Sequence, residues 1–506
     1  MSEPRELELK LEVGPKQLAR LRTHMAKTLG QPAARKQLNS VYFDTPDQTL
    51  RNEGLSLRLR SAGGKVVQTV KQADNGPGIG LFDRSEWETE VAGEELDLAA
   101  AAETPLRKLL GRDGVGRLQP MFSVKVERTT WEVESDAASI EVALDAGTIA
   151  SDGTGRMIAE LELELKRGSA ADLFALARGL ESAGSLKIGI FPKSEYGYLL
   201  ASGGKGPEFH KAEAVKLRRG TPTADAVAAI IRACIRHFRL NEAGVVEARR
   251  MEALHQARVA IRRLRSALSL FKDLLADPES QGIRELLRGF SSHLGEARNL
   301  DVYLARAEAP EEGQPEPDPD WIGKLRADRE AAYDRVAKAF ASKRYRGLML
   351  DLLAWAEDGA WRKAEEPRLA RPVEELAAAI LDKRRRRVRR RGRDLAGIDA
   401  EARHQVRIEA KKLRYAAEFF SGLVEGKKDK KRLKAFLSAT EHLQEALGEL
   451  NDFETAKALH ADRAEVGTLG LETVLDEESR EQELLDAAVA AHRTFSDKKP
   501  FWRDFA

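Results

Sequence analysis

The chain has 506 residues, 42% of them hydrophobic and 33% charged, with a formal net charge of +2. That length exceeds one ordinary core and calls for two or three domains, while the charge is too evenly balanced to name a partner. No run of about 18 apolar residues occurs, which excludes a membrane-spanning helix, and the single cysteine excludes an intrachain disulfide.

The opening MSEPRELELKLEV has neither a basic n-region nor an apolar h-region, so no secretory signal is expected and a reducing cytoplasm is the expected location. Cys234, within AIIRACIRHF, falls on an apolar helix stripe and reads as a buried thiol rather than a nucleophile. Charge is unevenly placed. Residues 1–210 carry 27 Lys and Arg against 31 Asp and Glu, and the remainder carries 57 against 51.

Period-two alternation predicts strands at Glu6–Glu12, Leu55–Arg60, Ser85–Val91, Ile140–Asp145 and Ile158–Lys166. Turn chemistry separates them at Ala62-Gly-Gly64, Asn75–Gly80, Ala146-Gly147 and Asp152-Gly153. Helical spacing of Leu and Ala predicts helices over about 15–29, 97–111 and 170–183. Side chains two apart on a strand share a face. Glu6, Glu8, Lys10 and Glu12 therefore lie together, as do Arg58 with Arg60, Thr69 with Lys71, and Arg84 with Glu86 and Glu88. Glu141 with Asp145, and Glu160 with Glu162 and Glu164, follow the same rule. A half-solvated sheet would explain one such strand. Several strands, some with carboxylates and others with cations, point instead to a closed barrel with a charged interior. Carboxylates there suit Mg²⁺ or Mn²⁺, and guanidinium and ammonium groups suit phosphate oxygens. His24, the one histidine before the linker, lies on a predicted surface helix and is given no catalytic part.

Glu6-Leu-Glu-Leu-Lys10 resembles the ExExK signature of the CYTH family, the triphosphate tunnel metalloenzymes. Tyr42–Thr45, Leu57–Arg60, Thr69–Lys71, Arg84–Glu88, Glu127–Trp131, Glu141–Asp145 and Glu160–Leu165 follow in the family's order. The resemblance implies an α+β domain built on an eight-stranded antiparallel tunnel that binds triphosphate with Mg²⁺ or Mn²⁺. It implies Glu6, Glu8, Glu162 and Glu164 as metal ligands, and Arg58, Arg60, Lys71, Arg84 and Arg128 on the phosphates. Lys10 would stand behind the first strand's carboxylates. Lys125 stands where relatives often have arginine, and Lys193, in Pro192–Tyr198, matches a lysine that reaches the phosphates. Tyr196 takes a place where arginine is usual. The implied reaction is hydrolysis of inorganic triphosphate to pyrophosphate and phosphate, with Glu164 able to orient water. The family also includes adenylate cyclases, thiamine triphosphatases and RNA triphosphatases, and these residues do not separate them. The absence of a base-recognition insert favours the inorganic substrate.

A Gly-rich stretch, Ser202–Pro207, ends the strand-rich part, giving expected domains of 1–203 and 215–500 with a linker over 204–214. From Ala212 the pattern becomes long amphipathic helices. The Pro- and acid-rich stretch Glu308–Asp320 divides them into units of about 215–308 and 321–500, and these repeat each other. His255, Arg258, Arg262 and Arg265 form one helix stripe, and His404, Arg407, Lys411 and Arg414 form its counterpart. Leu294-Gly-Glu296 and Leu447-Gly-Glu449 follow each copy. Neither histidine has a second ligand at metal-binding spacing. These segments resemble the CHAD domain, which implies an all-α bundle pair, binding of inorganic polyphosphate by the stripes, and association with polyphosphate granules. A non-catalytic polyphosphate-binding protein is the alternative. The run Lys383–Arg393 suits nucleic acid or polyphosphate, although it lacks the interleaved aromatics that stack on bases.

Overall fold

A computed structural model of the chain describes residues 5–73, 78–181, 184–204, 208–309, 318–463 and 471–505. The first half of the predicted Asn75–Gly80 turn, the end of the Gly-rich linker and the centre of the Pro-rich break lie outside the described residues. The strands are β1 (Arg5–Val13), β2 (Ala34–Asp44), β3 (Leu55–Ala62), β4 (Lys65–Ala73), β5 (Leu81–Val91), β6 (Gln119–Glu134), β7 (Ser139–Ser151), β8 (Thr154–Arg167) and the short β9 (Leu186–Ile188). They pair antiparallel in the order β5-β4-β3-β2-β6-β7-β8-β1, and β1 returns to β5 with Arg5 opposite Ser85 and Leu9 opposite Leu81. Eight strands thus close a barrel, and β9 extends β1 beyond Leu11.

Tight hairpins set this register. Gly63 and Gly64 turn β3 into β4 with φ of 56° and 85°, and Asp152 (φ 47°) with Gly153 (φ 76°) turns β7 into β8; two successive positive φ values match the twist of paired strands. The predicted turn at Ala146-Gly147 is instead mid-strand in β7. There a side chain on Gly147 would meet the Lys125 carbonyl oxygen at 1.9 Å, so glycine serves close strand approach rather than reversal.

Five helices accompany the barrel: α1 (Leu18–Thr28), α2 (Thr49–Asn52), α3 (Leu106–Val115), α4 (Ala170–Glu181) and α5 (Lys193–Ala201). The helix expected over 97–111 starts only at Leu106, because Pro105 disfavours helical backbone at the residue before it. The apolar strand faces turn outward under these helices. Leu57 and Val70 pack with Leu50, Leu106 and Leu110, and buried Leu9, Leu161 and Leu163 lie on the strands that α4 covers. Removing this much apolar surface from water stabilises the barrel by roughly 1.5–3 kcal/mol per large side chain.

The remaining helices are α6 (Thr223–Val246), α7 (Met251–Leu270), α8 (Pro278–Glu308), α9 (Pro319–Ala341), α10 (Lys343–Asp358), α11 (Val373–Arg391), α12 (Ala400–Phe419), α13 (Lys427–Arg463) and α14 (Leu471–Asp497). Asp277, Ser342 and Asp399 start three of them by accepting from backbone N–H groups of the first turn. Cys234 is buried on α6. Among the described residues no helix is long and apolar enough to cross a membrane. The chain forms two compact units: Met1–Ala212 with Arg232–Ile261 and Asp277–Lys363, and Glu213–Ile231 with Arg262–Ala276 and Ala364–Ala506.

Candidate functional sites

Inward-facing residues of the barrel line a chamber of about 270 Å³. Register decides how its charges are arranged. Glu141 on β7, Glu164 on β8 and Glu8 on β1 stand opposite one another across three adjacent strands. In an eight-membered ring, β3 lies across from β8, so Arg58 and Arg60 face this carboxylate row from the far wall. Between the two walls, Lys71 Nζ donates to Glu6 at 2.6 Å and lies 3.0 Å from Glu86. Arg84 pairs with Glu8 and reaches Glu6 at 3.4 Å.

A second knot of charge is more deeply buried. Lys193, at the start of α5, lies 2.7 Å from Asp145 and 2.8 Å from Glu162, and also pairs with Glu160. Lys10 pairs with Glu162 and reaches Glu160 at 3.4 Å. Arg128 adds paired bonds to Asp145 at 2.8 and 2.7 Å and one to Glu162 at 2.5 Å. Burial alone would push Glu162 up, yet Lys10, Lys193 and Arg128 hold it well below the usual carboxylate range. Burial likewise opposes the charge of Lys193, and Asp145, Glu160 and Glu162 outweigh it to raise its pKa.

Two groups depart from this mutual neutralisation. Arg60 is pushed down to about 10 by burial and then by Arg58 and Arg128 beside it, and its side chain donates to Ser40 Oγ at 3.4 Å. A guanidinium crowded by guanidinium groups suits an incoming anion. Glu164 is raised by burial, and Glu6 and Glu141 add to the rise against the pull of Lys166. Crowded carboxylates of this kind suit an incoming cation. Asp145, Glu160 and Glu162 also lie close enough together to ligate one ion, but Lys193 already supplies positive charge at that point. Glu6 and Glu141 lie near Glu164 in the chamber wall and form a second group of carboxylates, beside Glu8.

The lumen is not charged throughout. Leu38, Phe122, Val124, Val126, Ile149 and Ile158 share the inward parity and pack with Tyr198 of α5. Tyr42 stacks on Phe122 at 4.7 Å, and Gly197 allows α5 to seat against the Phe122 ring, which a side chain there would strike. Asp44 is fully buried and accepts from the Thr45, Leu50 and Arg51 N–H groups at 2.7–3.0 Å and from Tyr198 Oη at 2.8 Å. It thereby ties α2 and α5 to β2. Tyr196, in the place where arginine is usual, donates to Glu12 at 3.0 Å under the Arg156 guanidinium.

Of the residues predicted from sequence, the chamber brings together Glu6, Glu8, Lys10, Arg58, Arg60, Lys71, Arg84, Arg128, Glu162, Glu164 and Lys193. Lys125 is not among them. It is exposed, and its odd position on β6 turns it away from the lumen that Val124, Val126 and Arg128 face. Glu141 and Lys166 were missed as site residues, although the parity of β7 and the proximity of Lys166 to Glu164 were readable signals.

In the helical stripes, α7 and α12 carry their four residues at helical spacing. Gly295 of α8 lies under Arg258, where a Cβ would come within 2.9 Å of Nη1. Gly448 of α13 lies under Arg407 in the same way, at 3.2 Å from Nη2. The duplicated Leu-Gly-Glu segments are therefore seats for the duplicated arginines. Lys411 is pulled down to about 8, first by burial and then by Arg407, Arg262 and Arg414. Nε of Arg262 and of Arg407 are buried with no hydrogen-bond partner among the described residues. His404 Nδ1 lies 2.8 Å from Asn451 Oδ1. Arg265 is exposed and is not among the groups acting on Lys411.

A closed antiparallel tunnel with opposed carboxylate and cation walls, followed by helices bearing a duplicated basic stripe, defines a two-part class of protein. Residues 4–195 match the CYTH domain and residues 229–461 match the CHAD domain, so the chain carries a CYTH domain followed by a CHAD domain. An inorganic triphosphatase of Haemophilus influenzae is 32% identical over 200 residues, 39% of this chain and 55% of that protein. The chain thus spans little more than half the length of that relative. An uncharacterized protein of Mycobacterium tuberculosis is 27% identical over 407 residues, covering 76% of this chain and 75% of the relative. The crystal structure of the CHAD domain from Ricinus communis shares 29% identity over 57% of this chain and 97% of that one, with a TM-score of 0.47.

Proposed function

We propose that the tunnel hydrolyses a linear inorganic triphosphate and that the basic stripes of α7 and α12 bind inorganic polyphosphate. The observation that carries the first part is the pair of opposed walls: Glu141, Glu164 and Glu8 in register on one side, Arg58 and Arg60 on the other. The phosphates would lie against Arg58, Arg60, Lys71 and Arg84, with Arg128, Lys10 and Lys193 supporting that wall from below. Glu6, Glu8, Glu164 and Glu141 would hold Mg²⁺ or Mn²⁺; when bound, such an ion supplies charge neutralisation and Lewis acidity. Water attacks the terminal phosphorus in line, the bridging P–O bond breaks, and pyrophosphate leaves with its charge held by the arginine wall. Glu164, beside the ion, would orient the attacking water.

An inorganic substrate fits better than a nucleotide. Tyr42 is the one aromatic ring among the chamber's lining residues, and it is committed to Phe122. A base or thiazole ring would find no stacking surface there. A panel of tripolyphosphate, ATP, thiamine triphosphate and long-chain polyphosphate with Mg²⁺ and Mn²⁺ tests the assignment. Phosphate release from tripolyphosphate that is lost in Glu6→Ala supports it. Absence of release with every metal, or cyclic AMP as the main product from ATP, overturns it.

The CHAD reading rests on Arg407, Arg262 and Arg414 crowding the buried Lys411, a concentration of positive charge that Asp452 and Glu441 only partly offset and that favours a polyanion. It also supports recruitment to polyphosphate granules from the cytoplasm. Reversing charge at Arg258 and Arg407 together should weaken polyphosphate binding; unchanged affinity with intact circular dichroism removes the stripes from the site.

A further inference from the structure

The run Lys383–Arg393 is eleven residues of sequence that the structure divides into two kinds. Arg384 is buried and donates to Glu409 at 2.8 Å. Arg385 donates to the Ser496 and Lys498 carbonyls at 3.1 and 2.8 Å, fastening α11 to the end of α14. Val388 is buried between them. These three hold the fold. Lys383, Arg386, Arg387, Arg389, Arg390 and Arg393 line a cleft of about 930 Å³ between α11 and α14.

Lys383, Arg386 and Arg390 recur on α11 at intervals of three and four, which puts them on one stripe; Arg389 flanks it and Arg393 follows just past the helix end at Gly392. Arg493 of α14 supplies the facing wall. No aspartate or glutamate lines the cleft. Among the described residues no carboxylate pairs with Lys383, Arg389, Arg390, Arg393 or Arg493. The floor is a built one: His492 is buried with Nε2 3.2 Å from the Val388 carbonyl oxygen, and a side chain on Gly392 would meet that ring at 2.5 Å. The close approach of the two helices therefore depends on glycine at the end of α11. A folded cleft this rich in one sign of charge is unfavourable to itself and favourable to a polyanion.

We propose that the α11–α14 cleft is a second anion-binding site, separate from the α7 and α12 stripes, and that it takes a linear chain of inorganic phosphates. It shares no residue with those stripes. The choice of phosphate chain over nucleic acid follows from the lining. Leu395 and Val489 are its apolar residues and no aromatic ring is present, so bases would gain no stacking.

The test uses the full chain, long-chain inorganic polyphosphate, and single-stranded RNA with the same number of phosphates. Arg389, Arg390 and Arg393 are exposed, so the triple Arg→Glu variant at these positions should keep its melting temperature. It should bind polyphosphate about tenfold or more weakly, with a shallower dependence on salt. Arg493→Glu, from the opposite wall, should weaken binding in the same direction. Combining the triple variant with Arg407→Glu and Lys411→Glu separates the two sites. Weakening by the triple variant even where the Arg407 and Lys411 changes have no effect supports the cleft and sinks only the stripe reading. Unchanged polyphosphate affinity and salt dependence in both cleft variants overturns the proposal. So does a loss confined to RNA.

Discussion

The tunnel and the α12 stripe both gather cations, but they treat charge in opposite ways. In the tunnel, Lys10, Lys193 and Arg128 meet Asp145, Glu160 and Glu162, so this knot of charge is close to neutral within itself. Around Lys411, burial first and then Arg407, Arg262 and Arg414 outweigh Asp452, and the lysine holds its proton less tightly. The difference teaches what each region requires of its ligand. A neutralised lumen must exchange internal ion pairs for bonds to substrate and metal together, which favours one small, highly charged species. A stripe where cations crowd one another gains from a chain of negative charge, and it need not distinguish the chain's length.

The largest effect should come from unbalancing the tunnel's reactive wall. Glu6→Ala and Glu8→Gln each remove a carboxylate proposed to hold the divalent ion, and activity on tripolyphosphate should fall on the order of 10²- to 10³-fold, as for other lost electrostatic stabilisers. Steady-state phosphate release under saturating Mg²⁺ measures it, and near-wild-type rates in both variants would take these glutamates out of the chemistry.

Lysine deletion separates the two regions by sign. Lys193→Met removes one of three cations from three buried carboxylates, leaving Lys10 and Arg128 to offset them, and breaking a buried pair of this kind costs up to about 3–5 kcal/mol. Denaturant unfolding should show that loss without any substrate present. Lys411→Met removes a cation from among cations, so stability should hold or rise while polyphosphate affinity drops. If Lys411→Met destabilises as Lys193→Met does, the contrast between the regions is wrong.

That contrast was only partly legible beforehand. Alternation in Glu6–Glu12 and Glu160–Glu164 gave the charged faces, because period two needs no knowledge of partners. It could not say that Lys193, nearly thirty residues past β8, would occupy the middle of Asp145, Glu160 and Glu162. Nor could it foresee an apolar layer inside the same lumen, since Phe122, Val124 and Val126 read like an ordinary outward face until α5 is placed against them. Lys125 shows the converse. Its match to a family position suggested a ligand, whereas one residue of parity on β6 sends it into solvent, and Lys125→Ala should leave the KM for tripolyphosphate unchanged.

Acidity gives a finer test of the stripe. Lys411 titrates near 8 in the folded chain against an ordinary value of 10.5. Between these values the unfolded state binds the extra proton, so the penalty from protonated Lys411 is fully present below about pH 8 and stability rises as pH climbs towards 10.5. Polyphosphate affinity should move the other way, falling as pH rises through about 8 because the cation is lost. Calorimetry at pH 8 in buffers of different ionisation enthalpy should register proton uptake on binding, and Lys411→Met should abolish it. Binding with no linked proton in the wild type would show that Lys411 lies away from the bound chain.

The smallest expected effect addresses why the repeats share a glycine as well as arginines. Gly295 and Gly448 sit inside helices, where alanine is favoured over glycine by about 1 kcal/mol. An added Cβ would press on the ends of Arg258 and Arg407, which are flexible side chains rather than backbone. Gly295→Ala and Gly448→Ala should therefore leave the melting temperature unchanged or slightly higher while displacing each guanidinium and weakening polyphosphate binding a few-fold. A drop in melting temperature with intact affinity would mean that the glycines serve helix packing alone. Loss of affinity without loss of stability would mean that the duplication preserved a cation's position, which is what a binding stripe requires and a merely solvated helix face does not.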